Sequence, residues 1–295
     1  MILSDNLRGV LLMCASMLAF TLNDTLVKAV THDGMPLFQA ITLRGVGASL
    51  GLLVLALQSS KLNLWPAGRD RGFLALRTVG EVGATLLFLV ALTHMPLANL
   101  SAIMQSLPLA VTLSAAVLLG APIGWRRLLA ILVGFAGVMI IIRPGAADFD
   151  IWSVMGLGSV ACVVLRDLAT RHFSPGLPST TGAIWASLSV LLMGLIGLAW
   201  QGWRPMGVIA GLEITGAAAF LIVGYICAIK VMRVGEISIV APFRYTSLLW
   251  AIILGWLLFG TLPDRWTLLG GAIVVASGIY MLVRERKRRI EQAPV

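Results

Sequence analysis

Apolar residues run along this chain in stretches of about twenty, the length that crosses a bilayer as a helix, broken by short segments of charge, proline and glycine. The pattern predicts ten spans, at 8–30, 36–58, 72–93, 97–120, 125–142, 151–172, 180–201, 208–232, 237–259 and 265–284. At about 1.5 Å of rise per residue, such stretches match a hydrocarbon core about 30 Å thick. The fold class this implies is an all-α integral membrane protein of ten transmembrane helices. The first stretch has an early Arg8, an apolar run too long for a signal peptide and nine similar runs after it, so it reads as the first span.

Composition sharpens the reading. Of 295 residues, 59% are hydrophobic and only 12% charged, where soluble proteins carry about a quarter charged residues. Ten spans leave short connections and no sizeable soluble domain, which excludes most enzyme architectures. Lys and Arg outnumber Asp and Glu by 22 to 13, for a net charge of +9. No basic groove interleaved with aromatics accompanies this excess, so nucleic acid is set aside, and the charge belongs to membrane topology. Lys61, Arg69 and Arg71, then Arg126 and Arg127, then Arg284, Arg286, Lys287, Arg288 and Arg289 fall on one side if the count is ten. Mainly Lys28, Arg143, Arg204 and Arg265 fall on the other. The positive-inside rule then predicts that both termini are cytoplasmic.

A polar turn, Arg143-Pro144-Gly145-Ala146-Ala147-Asp148, lies almost at the midpoint and divides the chain into 1–146 and 147–295. Asp24 and Lys28 near the end of the first span match Asp167 and Arg171 near the end of the sixth, at one shared offset. Pro122, Trp125 and Gly137 match Pro263, Trp266 and Gly278 at another. Each half carries five spans, an odd number, so the second starts from the opposite side of the membrane. Two inverted five-helix repeats are a transporter signature, with substrate expected near the midplane.

The residues also resemble a known family. Phe20-Thr21-Leu22-Asn23-Asp24-Thr25-Leu26-Val27-Lys28, Leu43-Arg44-Gly45, Met95-Pro96-Leu97-Ala98, Val240-Ala241-Pro242 and Leu254-Gly255-Trp256-Leu257-Leu258-Phe259-Gly260 are similar to the EamA family of the drug/metabolite transporter superfamily. The resemblance covers essentially the whole chain. It implies ten helices in the inner membrane of a bacterium and transport of metabolites, with amino-acid export foremost. The family often carries Glu after the Phe-Gly of the ninth helix, where this chain has Thr261.

Charged side chains inside spans are costly and face a cavity or a partner. Arg77 and Glu81 are one helical turn apart in the third span, with Thr78 and Thr85 nearby, and make one face polar through mid-membrane. They read as a cavity-lining or protonatable pair, or as an ion pair that holds the bundle. Arg44 lies well inside the second span and needs a substrate, a gate or Asp24 as partner. Asp24 with Lys28, and Asp167 with Arg171, suit two gates or two interfacial ion pairs, and Asn23 and Arg166 precede the two acids. Arg244 and Tyr245 follow Pro242, while Gln105 and Ser106 precede Pro108, so each pair combines a bend with a polar contact. Arg244 suits either a substrate carboxylate or a lipid headgroup.

Trp65, Trp125, Trp152, Trp203 and Trp266 sit at span ends as interfacial anchors. Trp185, Trp250 and Trp256 lie deeper, with Tyr225 and Tyr280, and either line a route for a partly apolar solute or pack against helices and lipid. Gly47 with Gly51, Gly134 with Gly137, and Gly270, Gly271 and Gly278 form small-residue faces for close helix contact.

Gly156-Leu157-Gly158-Ser159-Val160-Ala161 fits a dinucleotide fingerprint, but inside an apolar span with no preceding strand and no later acid it carries nothing. Cys14, Cys162 and Cys227 lie singly in apolar runs, and His32, His94 and His172 are scattered at span ends, so no metal, cofactor or catalytic centre is expected. No phosphate-cradling motif marks ATP as the driver. The expected function is a secondary transporter of small metabolites, most naturally an amino-acid exporter, with or without proton coupling, as a monomer or homodimer. An importer of a carboxylate, vitamin or nucleoside-like metabolite is the rival. An enzyme lacks a convergent nucleophile and base, and a channel lacks a repeated polar ring.

Overall fold

A computed structural model of the chain describes residues 5–58, 65–66, 68–120, 123–144, 150–174, 177, 179–234 and 237–291. Among them lie α1 (Asp5–His32), α2 (Leu37–Gln58), α3 (Arg69–His94), α4 (Leu97–Met104), α5 (Leu107–Leu119), α6 (Trp125–Ile142), α7 (Ile151–Arg171), α8 (Ser179–Gln201), α9 (Val208–Val234), α10 (Ile237–Val240), a 3₁₀ turn (Ala241–Tyr245), α11 (Thr246–Phe259) and α12 (Arg265–Glu291). No strand occurs among the described residues, and ten spans are long and apolar enough to cross a membrane. Their order follows the hydrophobic pattern. Lys61, Pro122 and the midpoint-turn residues Gly145, Ala146, Ala147 and Asp148 lie outside the described residues.

Two predicted helices differ from expectation. The span over 97–120 is divided into α4 and α5 at Gln105 and Ser106, and the span over 237–259 into α10, the 3₁₀ turn and α11. Proline explains both. Pro108 has no N–H for the carbonyl of Met104, and Pro242 none for that of Ser238, so an α-ladder cannot run through either point. Both interrupted spans also end alike, at Gly120 (φ 65°) and Gly260 (φ 63°), in the left-handed conformation that glycine adopts without a Cβ clash. The last helix runs past its predicted end at 284 to Glu291, because Arg, Lys and Glu are good helix formers outside the membrane.

The helices gather into two compact units. One comprises Met1–Thr21, Met95–Leu157 and Val223–Val295, the other Leu22–His94 and Gly158–Ile222. Each therefore draws on both sequence halves. In the first, α6 packs along α12, and α4 meets α11 and α12. The α6–α12 contact is made by glycine, as expected. A Cβ on Gly137 would stand 2.8 Å from the Gly270 carbonyl oxygen, and one on Gly270 would stand 2.5 Å from that of Gly137.

In the second unit α8 packs against α2 and α3. Gly47 admits the Ala218 methyl group and Gly51 the Ile222 side chain, both on α9. Val30, Met35, Ala40 and Ile214 form a buried cluster with Leu43 and Ala210 against it. Large apolar side chains such as Leu132, Leu192 and Leu257 are left exposed, as a lipid solvent allows.

Candidate functional site

The two interruptions meet inside the first unit. Gln105, buried at 4% exposure, donates from Nε2 to the Ser247 hydroxyl at 2.6 Å and so ties the end of α4 to the start of α11. Hydroxyls also satisfy carbonyls in the loosened turns. Ser106 donates to Ile103 O at 2.7 Å, Thr246 to Phe243 O at 2.7 Å and Ser247 to Arg244 O at 3.2 Å. Water is absent from a bilayer core, so broken backbone persists there only where such groups or a cavity satisfy it. Interrupted membrane helices commonly line substrate sites in transporters.

Around this junction Arg244 is exposed and Tyr245 is buried at 5% exposure. The Tyr245 hydroxyl has no hydrogen-bond partner and fills the space where a Cβ on residue 278 would stand, which is why glycine occupies that position. The indole Nε1 of Trp250, one turn further along α11, is likewise buried without a partner. No Asp or Glu occurs in 97–119 or 237–259, and Arg244 is the single charged residue there. The two segments thus carry a guanidinium, an amide, hydroxyls and an indole N–H, donor chemistry that suits an anionic or carbonyl-bearing solute.

The second unit carries two charged groups. In one, Asn23 Nδ2 donates to Asp24 at 2.8 Å, Arg44 is buried at 8% exposure with its charge acting on Asp24, and Lys28 Nζ donates to Leu92 O at 2.7 Å. The Asn23 carbonyl oxygen is buried without a partner. In the other, α3 and α7 cross so closely at Gly80 that a Cβ there would stand 2.8 Å from Cys162 O. Beside the crossing Glu81 lies 3.8 Å from Arg77 and 3.5 Å from Arg166, Arg166 holds Asp167 at 2.9 Å, and Arg77 donates to Gly182 O at 2.7 Å.

The expected Arg77–Glu81 pair is thus present, joined by an Arg166 that sequence spacing did not connect to it. The expected Asp167–Arg171 pair is not formed. Asp167 takes its neighbour Arg166, while Arg171 is exposed at the end of α7 and makes no ion pair among the described residues. Trp185 packs edge-on against Trp65 with ring centroids 5.2 Å apart, and Tyr225 packs edge-on against Phe20 at 5.4 Å.

Three polar features escape the sequence reading. Ser247 is one. Gln39, fully buried, is another: its amide donates to Arg204 O and accepts from Arg204 N, both at 2.9 Å, and fastens the loop after α8 to α2. The third is an ion pair between Arg143, which ends α6, and Asp264, which caps α12 through Thr267 N at 3.0 Å. Single uncharged polar residues such as Ser247 and Gln39 carry no periodic signal, and the Asx cap at Asp264 is the one legible cue.

Comparison with known proteins agrees with this architecture. Residues 7–143 and 150–284 each match the model of the EamA-like transporter family. The chain is 28% identical to the riboflavin transporter of Vibrio cholerae serotype O1, over 96% of this chain and 95% of that protein. It is 25% identical to the pseudopaline exporter CntI of Pseudomonas aeruginosa, over 92% and 95%. With the S-adenosylmethionine uptake transporter of Rickettsia felis it shares 25% identity over 66% of each. One solved crystal structure aligns with a TM-score of 0.65 at 16% identity, over 94% of this chain and 97% of that one, and so has the same fold. With both halves matched and ten apolar spans in place, the chain belongs to the EamA-like transporter family of integral membrane proteins.

Proposed function

We propose that the protein is a secondary transporter that moves a small carboxylate-bearing metabolite, an amino acid or a close derivative, out across the bacterial inner membrane by alternating access. The observation that carries this reading is the junction of two interrupted helices, with the Gln105–Ser247 bond at its centre and Arg244 as its charge. Arg244 and the unpartnered donors of Tyr245 and Trp250 suit a carboxylate and its polar neighbours. Small-metabolite transport is also what the names of the similar proteins describe.

The organisation behind this function is two inverted five-helix repeats, 1–146 and 147–295. It is supported by the paired interruptions, the paired terminal glycines Gly120 and Gly260, and one family match on each half. A second reading, transport of a vitamin of flavin type, is favoured by the likeness to a riboflavin transporter over 96% of the chain.

Purified protein in liposomes, tested for exchange of labelled amino acids and of riboflavin, separates the two. Exchange of an amino acid that Arg244→Ala abolishes, in protein that remains folded, supports the first. Exchange of riboflavin alone replaces it with the second, and exchange of neither refutes both.

A further inference from the structure

Two carboxylates and two guanidiniums gather at the crossing of α3 and α7, and they are not equally held. Arg166 grips Asp167 at 2.9 Å through both Nε and a terminal nitrogen, but reaches Glu81 only at 3.5 Å. Arg77 donates to the Gly182 carbonyl at 2.7 Å and stands 3.8 Å from Glu81. Charge-assisted N–H···O bonds run about 2.7–2.9 Å. Each cation therefore has a firm partner of its own, and Glu81 is the group that both of them can lose.

That asymmetry bears on function. Neutralising one member of a buried ion pair ordinarily strands the other charge and destabilises the fold. Here a proton on Glu81 would leave Arg166 with Asp167 and Arg77 with the Gly182 carbonyl. The Glu81 side chain is 13% exposed at the middle of α3, and the close backbone approach at Gly80 fixes its distance from Arg166. The groups facing it are Arg77 on its own helix, and from α7 Arg166, Asp167 through Arg166, and the Cys162 thiol beside Gly83. From α8 comes the Gly182 carbonyl, on a helix with no charged residue.

We propose that Glu81 is the proton-carrying residue of the transporter, a carboxylate that can be neutralised without leaving either neighbouring guanidinium unpaired. One proton adds to a Glu81 carboxylate oxygen on one side of the membrane and leaves it on the other, so that solute movement is tied to the proton gradient. This rests on the reading of the chain as a secondary transporter.

The test uses the full chain in liposomes, with whichever labelled amino acid or riboflavin the wild type exchanges. In Glu81→Gln, accumulation driven by a pH gradient should fall by about tenfold or more, while exchange between equal pools, which needs no net proton, should stay within about twofold. Driven accumulation retained by Glu81→Gln, or loss of both activities together in folded protein, overturns the proposal. Asp167→Asn gives a second readout. Arg166, no longer held by Asp167, then turns to Glu81 alone, and the pH profile of driven transport should change; an unmoved profile counts against the proposal.

Infrared pH titration of the purified protein needs no solute. The wild type should show a protonated-carboxyl band that Glu81→Gln lacks, and identical spectra overturn the assignment. If the wild type exchanges neither amino acids nor riboflavin, the transport reading fails while the infrared titration still decides Glu81.

Discussion

A buried hydroxyl without a partner costs about 1–3 kcal/mol, and lipid offers no water to relieve it. Tyr245 carries such a group at the junction of the interrupted helices. If the hydroxyl serves only packing, Tyr245→Phe should be neutral or stabilising by about 1 kcal/mol, with transport unchanged. If it holds solute, the same variant should keep or raise its melting temperature in detergent while exchange falls about tenfold, the share of one hydrogen bond of about 1.4 kcal/mol. The second outcome is the expected one, and wild-type exchange by a stabilised Tyr245→Phe would remove the residue from the site.

Asp264 shows the opposite situation, a polar group with every partner in place. Desolvation pushes its carboxyl up, but hydrogen bonds from Thr267 and Arg143 outweigh this and hold it below its ordinary value of 3.8. The folded state thus favours the charged form, so its stabilisation is present above that value and is lost as pH falls through the lower folded one. The pair is partly exposed, at 22% and 44%, so its worth is under about 1 kcal/mol. Asp264→Asn keeps the helix cap and removes the charge. Thermal melts should show the variant slightly less stable than the wild type at neutral pH and equal to it once the pH is below the folded value.

Among the elements, the α6–α12 contact makes the clearest demand on sequence. Gly270→Ala would set a methyl group 2.5 Å from the Gly137 carbonyl oxygen, which only separation of the two helices can relieve. A loss of about 1–3 kcal/mol is expected, seen as a lower melting temperature in detergent. At Gly211, in α9, a methyl group would meet nothing within 4 Å, so Gly211→Ala should be neutral or stabilising by up to about 1 kcal/mol. Equal behaviour of the two would refute the close-contact account.

Much of this level was legible in advance. Ten apolar runs located the spans, Pro108 and Pro242 marked the two interruptions, and the small-residue faces marked the close contacts. What spacing could not supply was the register of one helix against another. Arg77 and Glu81 are neighbours on one helix, so their pairing could be read from the sequence. Arg166 reaches Glu81 only because α7 crosses α3 at Gly80, and Gln105 finds Ser247 only because α4 meets α11.

At the scale of the whole molecule, the pairing of helices constrains the chain more than its linear division does. Helices from 1–146 and from 147–295 pack against one another within each compact unit, α6 with α12 and α2 with α8. An odd number of spans in each half then has a topological consequence. If all ten candidate spans cross the membrane, position 143 follows five of them and position 289 follows ten, and the two are expected on opposite sides. The positive-inside rule predicts which is which: with ten spans the basic clusters at 69–71, 126–127 and 284–289 share one side, and that side is expected to be the cytoplasm. A reporter active only outside the cytoplasm should work when fused after Arg143 and fail after Arg289, and a cytoplasmic reporter should do the reverse. The reversed pattern would overturn the orientation alone. The same side for both fusions would mean that one half has an even number of spans, and with that the inverted repeat and the alternating-access reading built on it would fall.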